Sequence, residues 1–352
     1  MLGGGYLLSR FFRSAVPESL RNPRVVTGQG ALAKRVVYEQ PALLRVSEIT
    51  RREQAATADF EWVVVGEGGA AFLGEDFQPR RTVRFSGFPL APAMAVDLGG
   101  DGSTEFLSRS SFQSNVVLFD TNGKIRSSYE MPALVKIAAA GDVDGDGAAE
   151  IAVGFGGDTG VHLLSAEGRK LWEQPDGNVW HVEMADINDD GRAEILHSNA
   201  GGNLRIRDAA GSILHDYDLD VYVGDFSLTR WGGEAKSKHL LTLYDGFIYV
   251  VGFDGNIVAR LEAPGSERMG DAYGTTVRLP NGTRYYAALL SYFWDRAVLY
   301  VYDAEGRLVY HEVVGEKCGA VAAIPAGAAE RLLVGCQGKV WEYSAAKVKP
   351  GR

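Results

Sequence analysis

Residues 142–150 read Asp142-Val-Asp-Gly-Asp-Gly-Ala-Ala-Glu150, and the same pattern occurs on either side of them. The upstream copy is Asp97-Leu-Gly-Gly-Asp-Gly-Ser-Thr-Glu105, and the downstream copy is Asp186-Ile-Asn-Asp-Asp-Gly-Arg-Ala-Glu194. The final residues of the three copies lie 45 and 44 positions apart, so the chain contains a repeat of about that length. A period of this size is typical of architectures in which each repeat forms one supersecondary unit.

Short apolar runs continue the period in both directions and bring the number of units to seven. Four of the units also carry a turn that begins with Asp or Ser and ends with Gly, as type I turns closed by a left-handed Gly prefer; the turns cover residues 120–123, 165–168, 208–211 and 303–306. No long amphipathic helix lies between the short strands. This pattern predicts an all-β fold, a seven-bladed β-propeller with four-stranded blades.

The repeat predicts one propeller domain over residues 33–346, between an N-terminal arm (1–32) and a tail (347–352). Its blades are expected at about residues 42–85, 88–131, 133–175, 179–220, 223–263, 271–314 and 317–346. The last unit offers only three strands, and residues 33–40 resemble the outer strand of another unit. We therefore expect residues 33–40 to complete the last blade and close the ring, which removes open sheet edges. A disordered N-terminal arm is the alternative.

Composition narrows the classes of function. The chain has 44 Gly among 352 residues, about one in eight, against an average near 7%, which fits a protein with many tight turns. A net charge of −9 without a basic cluster argues against a nucleic-acid partner. No apolar stretch is long enough for a transmembrane helix.

The repeated acidic loops carry the chemistry of a hard cation. Oxygen ligands at alternate positions of a curled loop converge on one point, as Ca²⁺ requires. Calcium is therefore the predicted cofactor, and the seventh residue of each loop would contribute its backbone carbonyl. The predicted ligands are Asp142, Asp144, Asp146, Ala148 and Glu150 in one loop, and Asp186, Asn188, Asp190, Arg192 and Glu194 in the next.

The copy at residues 97–105 is the weaker site because Gly99 replaces the third ligand, which leaves Asp97, Asp101, Ser103 and Glu105. An EF-hand is excluded, since position 12 lacks the bidentate Glu and the flanks predict strands rather than helices. Turns that need no metal are the alternative. Because protein fills every ligand position, we expect the ion to brace the loop rather than to catalyse a reaction.

The Asp-x-Asp-x-Asp-Gly-x-x-Glu pattern followed by a strand resembles the FG-GAP/VCBS repeats of integrin α-chain propellers and of related microbial propellers. The resemblance covers roughly residues 42–345 and is specific in two blades. It implies a seven-bladed propeller with calcium loops between the first and second strands of blades. It does not imply one function, since the family includes adhesion modules, lectins and accessory domains of enzymes.

The face opposite the calcium loops is the expected binding surface for a protein partner or a glycan. Its predicted connections are rich in aromatic side chains beside charged ones, a combination that sugars and protein partners both favour. Blade packing is the alternative role for the two Trp residues. The candidate ligand-binding residues are Trp180, His181, Tyr222, Tyr273, Tyr292, Trp294, Asp295 and Arg296.

No catalytic motif is present, and the pair His181 and Glu183 is more typical of a structural contact. A non-enzymatic binding module is the leading interpretation. A polysaccharide lyase, a quinoprotein-like enzyme and a structural subunit docked through its N-terminal arm are the alternatives.

Cys318 and Cys336 would lie opposite each other in an antiparallel pair centred on Gly327, where they could form a disulfide or stay as two buried thiols. A disulfide and calcium loops would fit an extracytoplasmic location: secreted, periplasmic or cell-surface. Residues 1–35 hold six basic residues and one acid, so an organelle-targeting segment or a cytoplasmic protein with a docking arm are the alternatives.

Overall fold

The computed structural model describes most of the chain between residues 24 and 345. Its described ranges are 24–25, 32–53, 60–87, 92–109, 115–131, 133–232, 238–266, 271–292, 296–314, 316–326 and 328–345. Within them the chain folds into seven antiparallel sheets arranged as the blades of one ring. The predicted all-β, seven-bladed propeller is therefore confirmed. No helix in these ranges is long and apolar enough to cross a membrane.

Two strands and a short 3-10 helix precede the first complete blade: β1 (Arg24–Val25), β2 (Leu32–Glu39) and the helix Pro41–Leu43. Blade 1 consists of β3 (Val46–Glu53), β4 (Phe60–Gly66), β5 (Gly69–Leu73) and β6 (Pro79–Arg84). Blade 2 consists of β7 (Met94–Val96), β8 (Glu105–Arg109), β9 (Asn115–Phe119) and β10 (Ile125–Glu130). Blade 3 consists of β11 (Val135–Gly141), β12 (Glu150–Phe155), β13 (Val161–Leu164) and β14 (Lys170–Gln174).

Blade 4 consists of β15 (Val182–Ala185), β16 (Glu194–Ser198), β17 (Leu204–Arg207) and β18 (Ile213–Tyr217). Blade 5 consists of β19 (Phe226–Arg230), β20 (Lys238–Tyr244), β21 (Phe247–Val251) and β22 (Ile257–Glu262). Blade 6 consists of β23 (Ala272–Arg278), β24 (Arg284–Tyr292), β25 (Arg296–Tyr302) and β26 (Leu308–Val314). Blade 7 consists of β27 (Ala320–Ala326), β28 (Ala329–Gly335) and β29 (Lys339–Ala345), together with β2.

The first strand of each blade lies around the central channel of the ring. Antiparallel pairing sorts the loops onto two faces. We call the face with the loops between first and second strands, and the turns between third and fourth strands, the loop face. The opposite face carries the turns between second and third strands and the connections from blade to blade, and we call it the connection face.

The hydrophobic core is divided among the spaces between neighbouring blades. One cluster packs Leu196 and Ile206 of blade 4 against Phe226 and Leu240 of blade 5, and all four side chains are buried. Some strands are covered by neighbouring blades on both faces. Their sequences are therefore nearly continuous runs of apolar residues. The core therefore holds each blade through its two neighbours rather than within itself.

Glycine in the turns between third and fourth strands has two roles, which Gly211 shows clearly. Its φ of 81° is in the left-handed region, which an L side chain rarely adopts. A Cβ at this position would also lie only 3.3 Å from the ring of Trp172, which belongs to the preceding blade. The Trp172 indole Nε1 donates a hydrogen bond to the carbonyl of Ala209, 2.9 Å away. The turn thus shapes its own blade and receives the neighbouring blade.

The ring closes through the N-terminal strand, as expected from the missing outer strand of the last unit. β2 pairs antiparallel with β29 from Leu32 opposite Ala345 to Glu39 opposite Lys339. Lys34 of β2 also forms an ion pair with Glu312 of blade 6, so the closing strand contacts two blades. β1 adds a fifth strand to blade 6 by pairing with β26. The rest of the arm expected over residues 1–32, like the tail at 347–352, lies outside the described residues.

Cys318 and Cys336 are joined by a disulfide in blade 7. The ladder pairs Ala320 with Gly335, so the register differs by one residue from a pair centred on Gly327, and the two cysteines are not directly opposite. Both lie just beyond the strand ends, where the main chain can bring their sulfur atoms together despite this offset. The bond ties the first strand of the last blade to its neighbour.

Removing residues 1–40 is expected to lower the melting temperature by at least about 5 °C. Tyr38 of β2 is only 8% exposed, its burial alone is worth about 2 kcal/mol, and the ladder to β29 would be lost as well. Calorimetry measures the difference. A chain that starts at residue 32 is the control because it retains β2. Equal melting temperatures for the two truncations would show that β2 does not hold the ring together.

Candidate functional site

The entrance of the channel on the connection face collects charged side chains from five blades. Several of them occupy the same structural position, the residue directly before the first strand of a blade. This position holds Arg45, His181, Asp225 and Asp271 in blades 1, 4, 5 and 6. Because all first strands start at the channel on this face, the four side chains meet although they are far apart in the sequence. We call this group, with Arg109, Glu183 and Tyr273, the channel mouth.

His181 is held between two carboxylates. Its Nε2 lies 3.3 Å from Glu183 Oε1, and its Nδ1 lies 3.6 Å from Asp225 Oδ1. Burial by itself would lower the pKa of His181, but the hydrogen bonds and charges of Asp225 and Glu183 raise it to about 9. The imidazole is therefore protonated at neutral pH. A protonated ring donates hydrogen bonds from both nitrogens and cannot act as a general base at neutral pH.

Arg45 connects blade 1 to blade 6. Its Nη2 donates hydrogen bonds to Asp271 Oδ2 at 2.6 Å and to the Tyr273 hydroxyl at 3.1 Å. Burial opposes the charged form of both partners, yet the Arg45 charge keeps the pKa of Asp271 below its usual range. The path of Arg45 depends on Gly319 of blade 7, since a Cβ there would lie 2.7 Å from Arg45 Nε. Blade 7 thus makes room for a contact between its two neighbours.

Arg109 ends β8 in blade 2, on the connection face. Burial lowers the pKa of its guanidinium, while the charges of Asp271, Asp225 and Glu67 act in the opposite direction. Asp225 and Asp271 belong to blades 5 and 6, which lie across the ring from blade 2. The side chain is half-buried and makes no hydrogen bond or ion pair with any residue that the structure describes.

Glu48 lies deeper in the channel, in β3. Its carboxylate accepts a hydrogen bond from the backbone N–H of Ala95 at 2.7 Å. Burial raises the pKa of Glu48 to about 7, and the charge of Glu183 across the channel adds to this effect. Asp225 and Asp271, in contrast, have side chains 56% and 44% exposed at the entrance. The mouth therefore offers charged groups of both signs to a ligand arriving from solvent.

The three acidic loops lie on the loop face, between the first and second strands of blades 2, 3 and 4. We call them acidic loops A (97–105), B (142–150) and C (186–194). All three share two internal hydrogen bonds, which the first Asp and the terminal Glu accept. In loop B, Asp142 Oδ2 accepts from the Gly147 N–H at 2.9 Å, and Glu150 Oε2 accepts from the Val143 N–H at 3.1 Å. The equivalent bonds in loops A and C are 2.8–3.1 Å long.

The loops differ at the second oxygen of their terminal Glu. In loop A the Ser103 hydroxyl donates to Glu105 Oε1, and in loop C the Asn188 amide donates to Glu194 Oε1. Among the described residues, no side chain donates to Glu150 in loop B. Its pKa is raised by burial and by the neighbouring Asp charges. Asp142, Asp144 and Asp146 each bring a carboxylate oxygen within 4.8 Å of the others, so the donor set of loop B fits a hard cation best.

The loops also join consecutive blades. The Ala149 N–H in loop B donates to the Leu98 carbonyl in loop A at 3.3 Å, and the Ala193 N–H in loop C donates to the Asp142 carbonyl in loop B at 2.6 Å. Ala148 and Arg192, expected to offer carbonyl ligands, use their N–H groups to bond Asp146 and Asp190. Because of these hydrogen bonds, restricting the motion of one loop also restricts motion between its blade and the next.

The structure places the ligand-binding candidates from the sequence in two groups and leaves some outside. His181 and Tyr273 are in the channel mouth. Trp180 and Tyr222 lie exposed around it on the connection face, where Lys136 Nζ sits 4.9 Å from the centre of the Trp180 ring. Arg296 begins β25 on the same face. Trp294, Asp295 and the side chain of Tyr292 lie outside the described residues.

Sequence reasoning missed Arg45, Arg109, Asp225 and Asp271 as parts of one site. Aligning the seven blades and reading the residue before each first strand would have found three of them, because that column is strongly polar in four blades. Arg109 ends a second strand instead, and nothing in the repeat marks it as a residue of the channel.

No protein-family model matches the chain, and no curated protein matches it. Solved structures do match its fold. Two are crystals of BBS1N in complex with ARL6DN, soaked with mercury or lead; both are 12% identical, with TM-scores of 0.58 and 0.53, and cover 90% of this chain and 98% and 99% of theirs. BamB from Moraxella catarrhalis is 12% identical with a TM-score of 0.49 and covers 94% of this chain and 99% of its own. The two BBS1N structures, with TM-scores above 0.5, share the fold of this chain.

The free energy of unfolding is expected to fall as pH rises from about 6.5 to 9, above the range in which His162 and His197, whose pKa values burial lowers, act in the opposite direction. The folded-state pKa values of Glu48 (about 7) and His181 (about 9) both exceed their ordinary values of 4.5 and 6.5, so the folded protein binds more protons than the unfolded chain. The stability that His181 contributes is present below pH 6.5 and is lost as pH rises through 9, by up to about 3 kcal/mol.

Urea unfolding at several pH values tests this dependence. His181→Gln should flatten the curve between pH 6.5 and 9, and Glu48→Gln should flatten it between pH 4.5 and 7. A wild-type stability that is constant or rises with pH over the upper window would contradict the assigned charge state of His181.

Proposed function

We propose that the protein is a non-enzymatic interaction module that binds a protein partner on its connection face. The observation that carries the proposal is the distribution of exposed apolar side chains. Twelve large hydrophobic side chains of the described residues are exposed, and seven of them lie on the outer strands β2, β10, β14, β18 and β22. The other five all lie on the connection face; they are Leu44, Leu134, Trp180, Tyr222 and Tyr244.

These five side chains lie on the same face as the charged channel mouth, in or directly before blades 1, 3, 4 and 5. A contact surface in which Trp, Tyr and Arg combine with a polar neighbourhood has the composition of protein-binding hot spots. Trp180 and Tyr222 are each 38% exposed, so they present flat apolar area to solvent while the rest of each side chain packs against the protein. Tyr222 rests on Gly202, whose Cβ position is 2.4 Å from its ring, and its hydroxyl donates to the Ala200 carbonyl at 3.3 Å. Rigid aromatic side chains lose little entropy on binding.

The similar fold of BBS1N supports the proposal by analogy, since that protein was crystallised in complex with a second protein, ARL6DN. Analogy of fold does not identify the partner of this chain. The partner is expected to present apolar groups to the five exposed side chains and polar or charged groups to the channel mouth. A glycan is the competing ligand class, because it would also use exposed Trp and Tyr.

We further propose that the chain is an FG-GAP/VCBS-type propeller whose acidic loop B, and more weakly loop C, binds Ca²⁺. The ion would neutralise the Asp142, Asp144 and Asp146 carboxylates and so fix the hydrogen bonds between neighbouring loops. The role proposed for calcium is thus to brace blades 2, 3 and 4, on the face away from the partner. The disulfide of blade 7 supports the companion proposal of an oxidising, extracytoplasmic location.

The double variant Trp180→Ala/Tyr222→Ala is expected to lose its partner. Tagged full-length protein is purified from its native source under mild cross-linking, and the captured proteins are quantified by mass spectrometry. Loss of two hot-spot aromatics should reduce capture of the specific partner at least about tenfold.

Ile213→Ala/Leu214→Ala is the matched control, because it removes exposed apolar area from the outer strand β18 instead. If capture of the partner falls in the control and persists in the Trp180→Ala/Tyr222→Ala variant, the partner binds the outer strands and the proposal is refuted. Glycan binding by the purified wild type that requires Trp180 would favour a lectin.

Removing divalent cations is expected to lower the melting temperature by several degrees. A ligand present at about one hundred times its Kd stabilises the folded state by about 2.7 kcal/mol. Asp144→Ala should abolish most of the difference between calcium and EDTA, whereas Asp101→Asn in loop A should preserve it. Identical melting of the wild type in calcium and in EDTA would refute the calcium proposal.

A further inference from the structure

The channel mouth contains one cation that the described part of the protein leaves without a partner. Arg45 pairs with Asp271, and His181 lies between Glu183 and Asp225. Two lysines near the mouth also have a neighbour that stabilises them: Lys317 lies 3.7 Å from Glu67, and Lys136 lies over the Trp180 ring. The Arg109 guanidinium, which carries five N–H donors, has no hydrogen bond or ion pair with a described residue.

We propose that Arg109 is the receptor for an acidic side chain of the protein partner, which inserts its carboxylate into the channel mouth. This inference rests on the proposed function, since it concerns the same face. A planar guanidinium fits a carboxylate through two parallel hydrogen bonds, and such pairs are among the strongest in proteins.

The surroundings of Arg109 favour an added negative charge. The side chain is half-buried, so it has lost part of its hydration. Asp271 and Asp225 lie across the ring and already form ion pairs with Arg45 and His181. Their charges do not offset the cost of burial, because the pKa of Arg109 is still lowered. A carboxylate that makes direct hydrogen bonds would supply the missing compensation.

The location also fits insertion by a partner. Arg109 ends the second strand of blade 2 on the connection face, where the charges of Asp225 and Asp271 in blades 5 and 6 act on it. Exposed apolar side chains lie on the same face, with Leu134 and Trp180 before the first strands of blades 3 and 4. A partner that covers these apolar side chains would exclude water from the mouth. Exclusion of water strengthens a charge pair at its centre.

The test uses the full chain and three labelled decapeptides, in which glycine alternates with glutamate, glutamine or lysine. Fluorescence anisotropy measures their binding. The glutamate peptide is expected to bind best, even though the protein has a net charge of −9, and its affinity should fall with added salt. Arg109→Gln should weaken this binding at least about tenfold. Arg109→Lys should give an intermediate affinity, because it keeps the charge and loses the fork.

Arg169→Gln is the matched control, since Arg169 is an exposed arginine in a turn of the loop face. Its affinity for the glutamate peptide should equal that of the wild type. The melting temperature of Arg109→Gln should not fall, because removing an uncompensated guanidinium relieves a cost of burial. A drop of several degrees would indicate a structural role and contradict the inference.

Equal binding of the glutamate peptide by wild type and Arg109→Gln, or tighter binding of the lysine peptide, would overturn the inference. The partner capture described above separates it from the proposed function. If Trp180→Ala/Tyr222→Ala loses the partner while Arg109→Gln captures it fully, the interaction face stands and the role of Arg109 is wrong. Loss of capture in both variants supports both.

Discussion

The pairing of β2 with β29 holds the two ends of the propeller together, and the geometry of the channel depends on it. Blades 1 and 7 also share a hydrophobic cluster, and β2 adds a covalent link to it, because the chain runs from β2 of blade 7 directly into blade 1. Arg45 shows what closure achieves. It follows the closing strand, passes Gly319 of blade 7 and reaches Asp271 of blade 6. A closed ring therefore brings residues from opposite ends of the chain within hydrogen-bond distance.

Closure also explains why the two faces differ in chemistry. On the loop face, each acidic loop is stabilised mainly by its own backbone and by one neighbour, so its features repeat at the period of the blades. On the connection face, the first strands converge, and side chains that precede them meet across the channel. Arg109 of blade 2 is influenced by charges from blades 5 and 6, and Asp271 of blade 6 by the charge of His181 in blade 4. Under the proposed function, the loop face would serve bracing and the connection face recognition.

Under the proposed function, the balance of charges at the mouth is a compromise between stability and binding. His181 and Arg45 are compensated by carboxylates, which keeps them charged despite burial. Arg109 is not, and such a group is tolerated when it serves a function. Asp225 and Asp271 remain partly exposed, so their carboxylates are still accessible to a ligand. This arrangement would select a partner by charge as well as by apolar contact.

The sequence by itself determined the features that repeat. The period between Glu105, Glu150 and Glu194 revealed the blades, the turn glycines revealed the hairpins, and the missing outer strand revealed the closing strand, because each reflects contacts within one blade or with the next. Only the tertiary structure decided the channel mouth. Arg45, Arg109, His181, Asp225 and Asp271 share no motif, and their proximity results from the convergence of five blades on one axis. Local sequence patterns report neighbours along the chain, whereas this site is made by closure of the ring.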